Sequence, residues 1–250
     1  MKKGMKKSVF YTLLIVLIAV FLFAAYKLGS YWMEKARSDK LLDDASEFVD
    51  IVMPEGSSQE GGDTTAPEKI NVDFEALQKL NDDVVAWIYC PDTKINYPVL
   101  QTGNNDYYLN HLLDGTYNIN GSIFMDYRNE SDFTDGNTLI YGHHMQSGAM
   151  FASLTKYKDQ SHYDAHPYIY VLTPTQNYRL ELFAGCIVDC FSPVFSTEMT
   201  DDLIAEFMKN SKFDSVVTKP TGPVVTLSTC TYEYDDARFV VLGQLVAIDE

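Results

Sequence analysis

Cys230, His143 and Arg238 are the side chains in this sequence whose types and settings suit attack on a carbonyl carbon. Cys230 ends the β-prone run TLSTC, so it should stand at a strand end, where a loop presents it to substrate while a sheet holds it still. A thiol in that place is either a nucleophile, active as thiolate, or a small buried hydrophobe. His143 lies in NTLIYGHHM, where another apolar run gives way to a loop holding Gly142 and Gly148. Imidazole is the side chain suited to proton exchange near neutral pH. Its neighbour His144 competes for the role, because alternation along a strand would send the two rings to opposite faces and only one can meet the thiol. Arg238 opens RFVVLGQLV, just past the acidic connection EYDDA. A strand, a short turn and a returning antiparallel strand would bring its guanidinium back beside Cys230, where a fixed cation stabilises the charge that builds on a carbonyl oxygen under attack. The competing expectation for Arg238 is a surface ion pair with Glu233, Asp235 or Asp236.

Other candidate groups carry less. Cys90, Cys186 and Cys190 are too few and scattered for a disulfide scaffold and are expected as buried small apolar residues. His162 and His166 have metal-ligand spacing on a helix, but Pro167 biases His166 away from helix and no third ligand is near, so a polar loop is expected there.

These groups need a frame. Eight short β-prone runs alternate with turn residues: VVAWIYC, INYPVLQ, GSIFMDY, NTLIYGH, YIYVLT, YRLELFAGCIV, PVVTLSTC and RFVVLGQLVAI. Such a series predicts a mainly β fold closed as an eight-stranded barrel with peripheral helices, rather than a parallel α/β sheet. The expected helices are FEALQKLN behind an Asp73 cap, a stretch at 150–158, and DDLIAEFMKN behind Thr200.

Before the barrel, residues 8–26 carry no charge and as a helix would reach roughly 28 Å, a bilayer's hydrocarbon thickness. With Lys2, Lys3, Lys6 and Lys7 ahead of them, they predict a single-pass anchor with a cytoplasmic N-terminus and everything else outside the cell; a cleaved signal peptide is the competing reading. The expected order is a basic tail at 1–7, a transmembrane anchor at 8–29, a stalk and acidic linker at 30–68, and a catalytic domain at 69–250. A net charge of −16 argues against a nucleic-acid partner.

YGHHM, TLSTC and the arginine of ARFVV together resemble the sortase signature, and the version here is similar to class B sortases. The similarity runs from about residue 74 to 246 through INYPVLQ, NNDYYLNH, GSIFMDYRN, YGHHMQSGAMFASLTKY and TLSTCTYEYDDAR. The resemblance implies a sortase-type barrel and a cysteine transpeptidase that cleaves a C-terminal sorting motif of secreted proteins after threonine. The acyl group would pass through a Cys230 thioester to a peptidoglycan amine, with His143 as proton donor to the leaving amine and Arg238 on the oxyanion or the motif's backbone. By position it also implies that Asn105, Leu109, Tyr141, Ser228 and Thr231 line the substrate groove, with no cofactor and no metal. Two alternatives stay open: a cysteine peptidase releasing the same acyl-enzyme to water, and a membrane-tethered adhesion or scaffold domain.

Overall fold

The computed structural model describes residues 7–52 and 69–248, so the segment expected as the acidic linker lies outside the described residues apart from its first part. Helix α1 spans Lys7–Ser46, and its apolar part is long enough and apolar enough to cross a membrane. The described residues fall into two compact units that divide between Lys40 and Leu41. In the second unit, strand β1 (Val49–Val52) pairs antiparallel with β2 (Lys69–Val72). Helix α2, Phe74–Leu80, starts at Asp73, whose carboxylate accepts from the Ala76 amide at 2.9 Å as the sequence predicts.

The eight expected runs become eight strands: β3 Val84–Tyr89, β4 Asn96–Leu100, β5 Ile123–Met125, β6 Asn137–Tyr141, β7 Tyr168–Leu172, β8 Asn177–Asp189, β9 Val224–Cys230 and β10 Ala237–Ile248. They close into one barrel in the order β10-β8-β7-β3-β4-β5-β6-β9, parallel at β4–β5 and β6–β9 and antiparallel elsewhere. Alternation explains the closure. Val225 and Leu227 of β9, Phe239 and Val241 of β10, and Ile140 of β6 all belong to one buried cluster, whereas Val224, Val240 and Leu242 pack on the other side with Phe207 of the helix α4 (Asp201–Lys209). Burying such side chains stabilises by ~1.5–3 kcal/mol each, which fixes the register, since a slip of one residue would exchange the two faces.

Thr200 caps α4 through its hydroxyl to the Leu203 amide, as expected. The stretch at 150–158 is a 3-10 helix, Phe151–Lys158, followed by α3, Gln160–Ala165. Here the sequence expectation needs correction: His162 lies on α3 and His166 caps it, both half-buried, with the His162 ring against Tyr157 at 4.6 Å rather than in a polar loop. Among the cysteines, Cys90 and Cys186 are buried and burial pushes each thiol up to about 11. Cys190 departs from the filler role: it falls one residue beyond β8 and is half-exposed, because the strand that would have buried it ends at Asp189.

Candidate functional site

Cys230 is the last residue of β9, and the ladder to β10 pairs it directly with Arg238. Opposite residues of an antiparallel pair project to the same face with Cβ atoms about 5 Å apart, so the thiol and the guanidinium share the outer face of the barrel. Arg238 Nη1 donates to its neighbour's carbonyl, Ala237 O, at 3.1 Å. Among the described residues it forms no ion pair, which sets aside the competing expectation of a surface bridge, and Glu233 is instead held by Lys158.

His143 lies just past the end of β6, the other neighbour of β9 in the barrel. Strands β6 and β9 run parallel with Tyr141 level with Ser228, and the Gly142 amide extends the ladder by donating to Ser228 O at 3.1 Å. That register ends at Tyr141 and Ser228; His143 follows two residues past Tyr141, beyond the end of β6, and Cys230 two residues past Ser228, at the end of β9. Gly142 makes the turn possible, since a Cβ there would lie 2.4 Å from Ile123 Cδ1 and 2.8 Å from the Phe151 ring. The Phe151 amide then donates to His143 O at 3.1 Å, fixing the backbone past the strand end.

The adjacent histidines are separated by their partners. His143 Nε2 bonds Leu109 O at 2.6 Å, and His144 Nδ1 bonds Cys230 O at 2.9 Å. A carbonyl only accepts, so each of those ring nitrogens carries a proton. His144 therefore steadies the main chain at Cys230, while His143 Nδ1 has no hydrogen-bond partner among the described residues. Cys230 Sγ has no hydrogen-bond partner among the described residues, an open arrangement ordinary for a site without substrate.

The expected groove residues divide. Tyr141 and Ser228 form one row across the strands, with Val240 completing it on β10, two residues before Cys230 on β9. Tyr141 and Asn105 both donate to Asp126 Oδ2, at 2.8 and 2.9 Å, so one carboxylate oxygen draws them together. Leu109 has a largely exposed side chain and contributes its carbonyl to His143. Thr231 points elsewhere: it is 6% exposed and its hydroxyl is shared between Lys158 Nζ at 3.0 Å and the Glu233 carboxylate.

Asp126 is a site residue that the sequence reading misses. It is fully buried and takes a fork from Arg128, with Nε to Oδ1 at 2.8 Å and Nη2 to Oδ2 at 2.7 Å. Burial works to raise its pKa, but the hydrogen bonds from Arg128, Tyr141 and Asn105 outweigh it and hold the carboxyl down at about 2. The acid-x-Arg spacing in MDYRN is the available signal. Lys158 and Glu233 form a second unanticipated clasp, in which Lys158, then Thr231, hold the Glu233 carboxyl down at about 2; Lys158 also sits 5.3 Å above the Phe239 ring.

Residues 88–246 match the Sortase domain family model. Sortase B of Listeria monocytogenes is 36% identical over 94% of this chain and 96% of its own length. Among solved structures, a sortase B complexed with a glycine tripeptide is 29% identical, covers 87% of this chain and 99% of its own, and has a TM-score of 0.71. Sortase B from B. anthracis is 33% identical over 87% of this chain and all of its own, with a TM-score of 0.69.

Proposed function

The chain belongs to the sortase family of cysteine transpeptidases, in its class B branch, and on that premise we propose that it transfers secreted proteins to a cell-wall amine in two acyl-transfer steps. Cys230 as thiolate attacks the carbonyl carbon of a threonine in the substrate's C-terminal sorting motif. The scissile C–N bond breaks, His143 as imidazolium gives its proton to the leaving amine, and a thioester to Cys230 remains. A peptidoglycan amine then attacks the thioester carbon, loses its proton to His143, and displaces the Cys230 thiolate. Arg238 faces the oxyanion in both steps, a placement worth about 10²–10³ in rate for a single donor.

The observation that supports this reading is that Cys230 ends β9 directly opposite Arg238 of β10, with His143 just past the end of the neighbouring strand β6 and no carboxylate among the described residues holding the arginine. Asn105, Tyr141 and Ser228 beside it would take the motif, with Leu109 at its edge; Thr231 would act through the backbone, because its hydroxyl is already shared. The sortase B complexed with a glycine tripeptide supports a peptide amine as acceptor here. Helix α1 would hold the chain in the membrane, with the lysines before it keeping the N-terminus cytoplasmic and the barrel outside.

The test is a threonine-containing sorting-motif peptide offered to the full chain, with and without triglycine. Mass spectrometry should find a thioester on Cys230, lost in Cys230→Ala, and triglycine should divert product from hydrolysis to the amide. Adducts confined to Cys190 or the buried cysteines would defeat the assignment. Hydrolysis untouched by triglycine would make the protein a peptidase.

A further inference from the structure

Leu109 O receives His143 Nε2 at 2.6 Å, and because a carbonyl offers no proton, the ring must keep its hydrogen on Nε2 in both charge states. Nδ1 is then the nitrogen left to exchange a proton with the sulfur. The Leu109 side chain is 42% exposed, so the hold is a main-chain one, at the end of the 3-10 turn Tyr107–Leu109. What fixes that carbonyl is the return of the chain through Gly121.

Gly121 has φ +57, and a Cβ on it would lie 2.5 Å from Tyr108 O, 2.6 Å from Leu109 O and 2.8 Å from Leu109 C. All three are backbone atoms, which cannot swing aside as a flexible side chain can. The Ser122 amide, next along, donates to Tyr108 O at 2.9 Å, so the two segments are also tied by a hydrogen bond beside the contact. We infer that Gly121 is a positioning residue for catalysis: by letting the backbone at 108–109 approach this closely, it holds the Leu109 carbonyl that selects the Nε2–H form of His143. The inference rests on His143 being the proton-transfer partner.

Two effects of a side chain at this position can be separated. Alanine would bring both the cost of a positive φ and the collision. Asparagine tolerates the left-handed region well, so Gly121→Asn retains mainly the collision with the Leu109 carbonyl. A displaced carbonyl no longer holds the proton on Nε2, so the selection of one ring tautomer is lost.

Ring ¹⁵N shifts of His143 in the full-length chain, assigned against His143→Gln, give the direct readout, together with kcat, KM and the pH profile of sorting-peptide cleavage. In the unaltered protein the neutral ring should be the Nε2–H tautomer; a neutral Nδ1–H ring would overturn the inference without any variant at position 121. In Gly121→Asn the tautomer should become mixed, and kcat should fall about 10-fold to 100-fold with KM nearly constant. A loss of folded protein with the tautomer and the kcat of the folded fraction unchanged would make Gly121 merely structural and end the proposal. Ser122→Ala, which removes a hydroxyl bond to His111 O at 2.9 Å while keeping Gly121, should leave the tautomer alone. If His143→Gln retained full kcat, the proton-transfer role would fail, while the tautomer measurement would still judge the link from Gly121 to the ring.

Discussion

Arg238 stands directly across the β9–β10 ladder from Cys230, and no carboxylate among the described residues engages its guanidinium. No ion pair among the described residues ties it to the fold, so the proposed mechanism is what its place beside the thiol has to answer to. Under that mechanism Arg238→Lys should lower kcat/KM for sorting-peptide cleavage about 100-fold to 1,000-fold, about 2.7–4 kcal/mol, because a point charge on a flexible stem cannot reproduce the planar donor fork. The melting temperature should stay within about 2 °C. Near-normal turnover in the lysine variant would remove Arg238 from the mechanism.

Asp126→Asn attacks the hub that joins Asn105 and Tyr141 to β5 and β6. One buried charge-assisted fork is lost, so with Arg128 half-exposed the cost should be about 2–3 kcal/mol, and KM for the peptide should rise as the two groove residues come apart. The sign of the pH effect follows from a folded pKa near 2 set against an ordinary value near 3.8. A depressed carboxyl stabilises the fold above its unfolded pKa, and that contribution drains away as pH falls from about 4 through 2. Denaturant melts at pH 5 and pH 2.5 should show the acid loss in the unaltered chain and a smaller one in Asp126→Asn; equal losses would deny Asp126 this role.

The eight barrel strands are legible in the sequence because each run alternates or is fully apolar, and alternation is the signal that a half-buried strand must carry. Cys230, His143 and Arg238 stand out for the same reason: each lies at or just past a run's end, and the β9–β10 register that sets Cys230 against Arg238 follows from the runs. The main-chain parts of the site are not legible. Leu109 reads as a groove side chain, yet it presents a carbonyl, and no residue type announces which carbonyl will be used. Thr231 is expected in the groove by its position in the family pattern, and that pattern does not announce that Lys158, far away in sequence, shares its hydroxyl. Strand β1 is equally hidden, since VDIV is short and sits in a charged stretch, and only its pairing with β2 makes it a strand.

That pairing bears on where the chain can be cut. Leu41, Leu42, Ala45, Phe48, Val49 and Ile51 all pack into the clusters that include barrel residues. A chain beginning at residue 31 should stay soluble and keep full peptide-cleavage activity, whereas one beginning at residue 69 loses those side chains and the partner of β2. At roughly 1 kcal/mol or more for each half-buried apolar residue, the shorter chain should lose several kcal/mol in denaturant titrations. Equal stability of the two truncations would show that residues 41–52 are dispensable to the barrel.

His162 gives the fold a second pH dependence of opposite chemical origin. Burial chiefly, then His166 and Lys156, hold its pKa down at about 4 against an ordinary 6.5, with Asp159 opposing, and its Nε2 has no hydrogen-bond partner. The unfolded chain thus binds a proton at a pH where the folded chain refuses it. Stability must fall as pH drops from about 6.5, with the loss complete near 4, where both states are protonated. The full shift corresponds to about 3 kcal/mol, and partial solvation of the ring reduces this to ~1–2 kcal/mol, several degrees of melting temperature. His162→Gln removes the titrating group and should flatten the melting curve between pH 6.5 and 4.5 relative to the unaltered chain, with little change in kcat. Parallel curves for the two proteins would mean that His162 is solvated enough in the folded state to titrate normally.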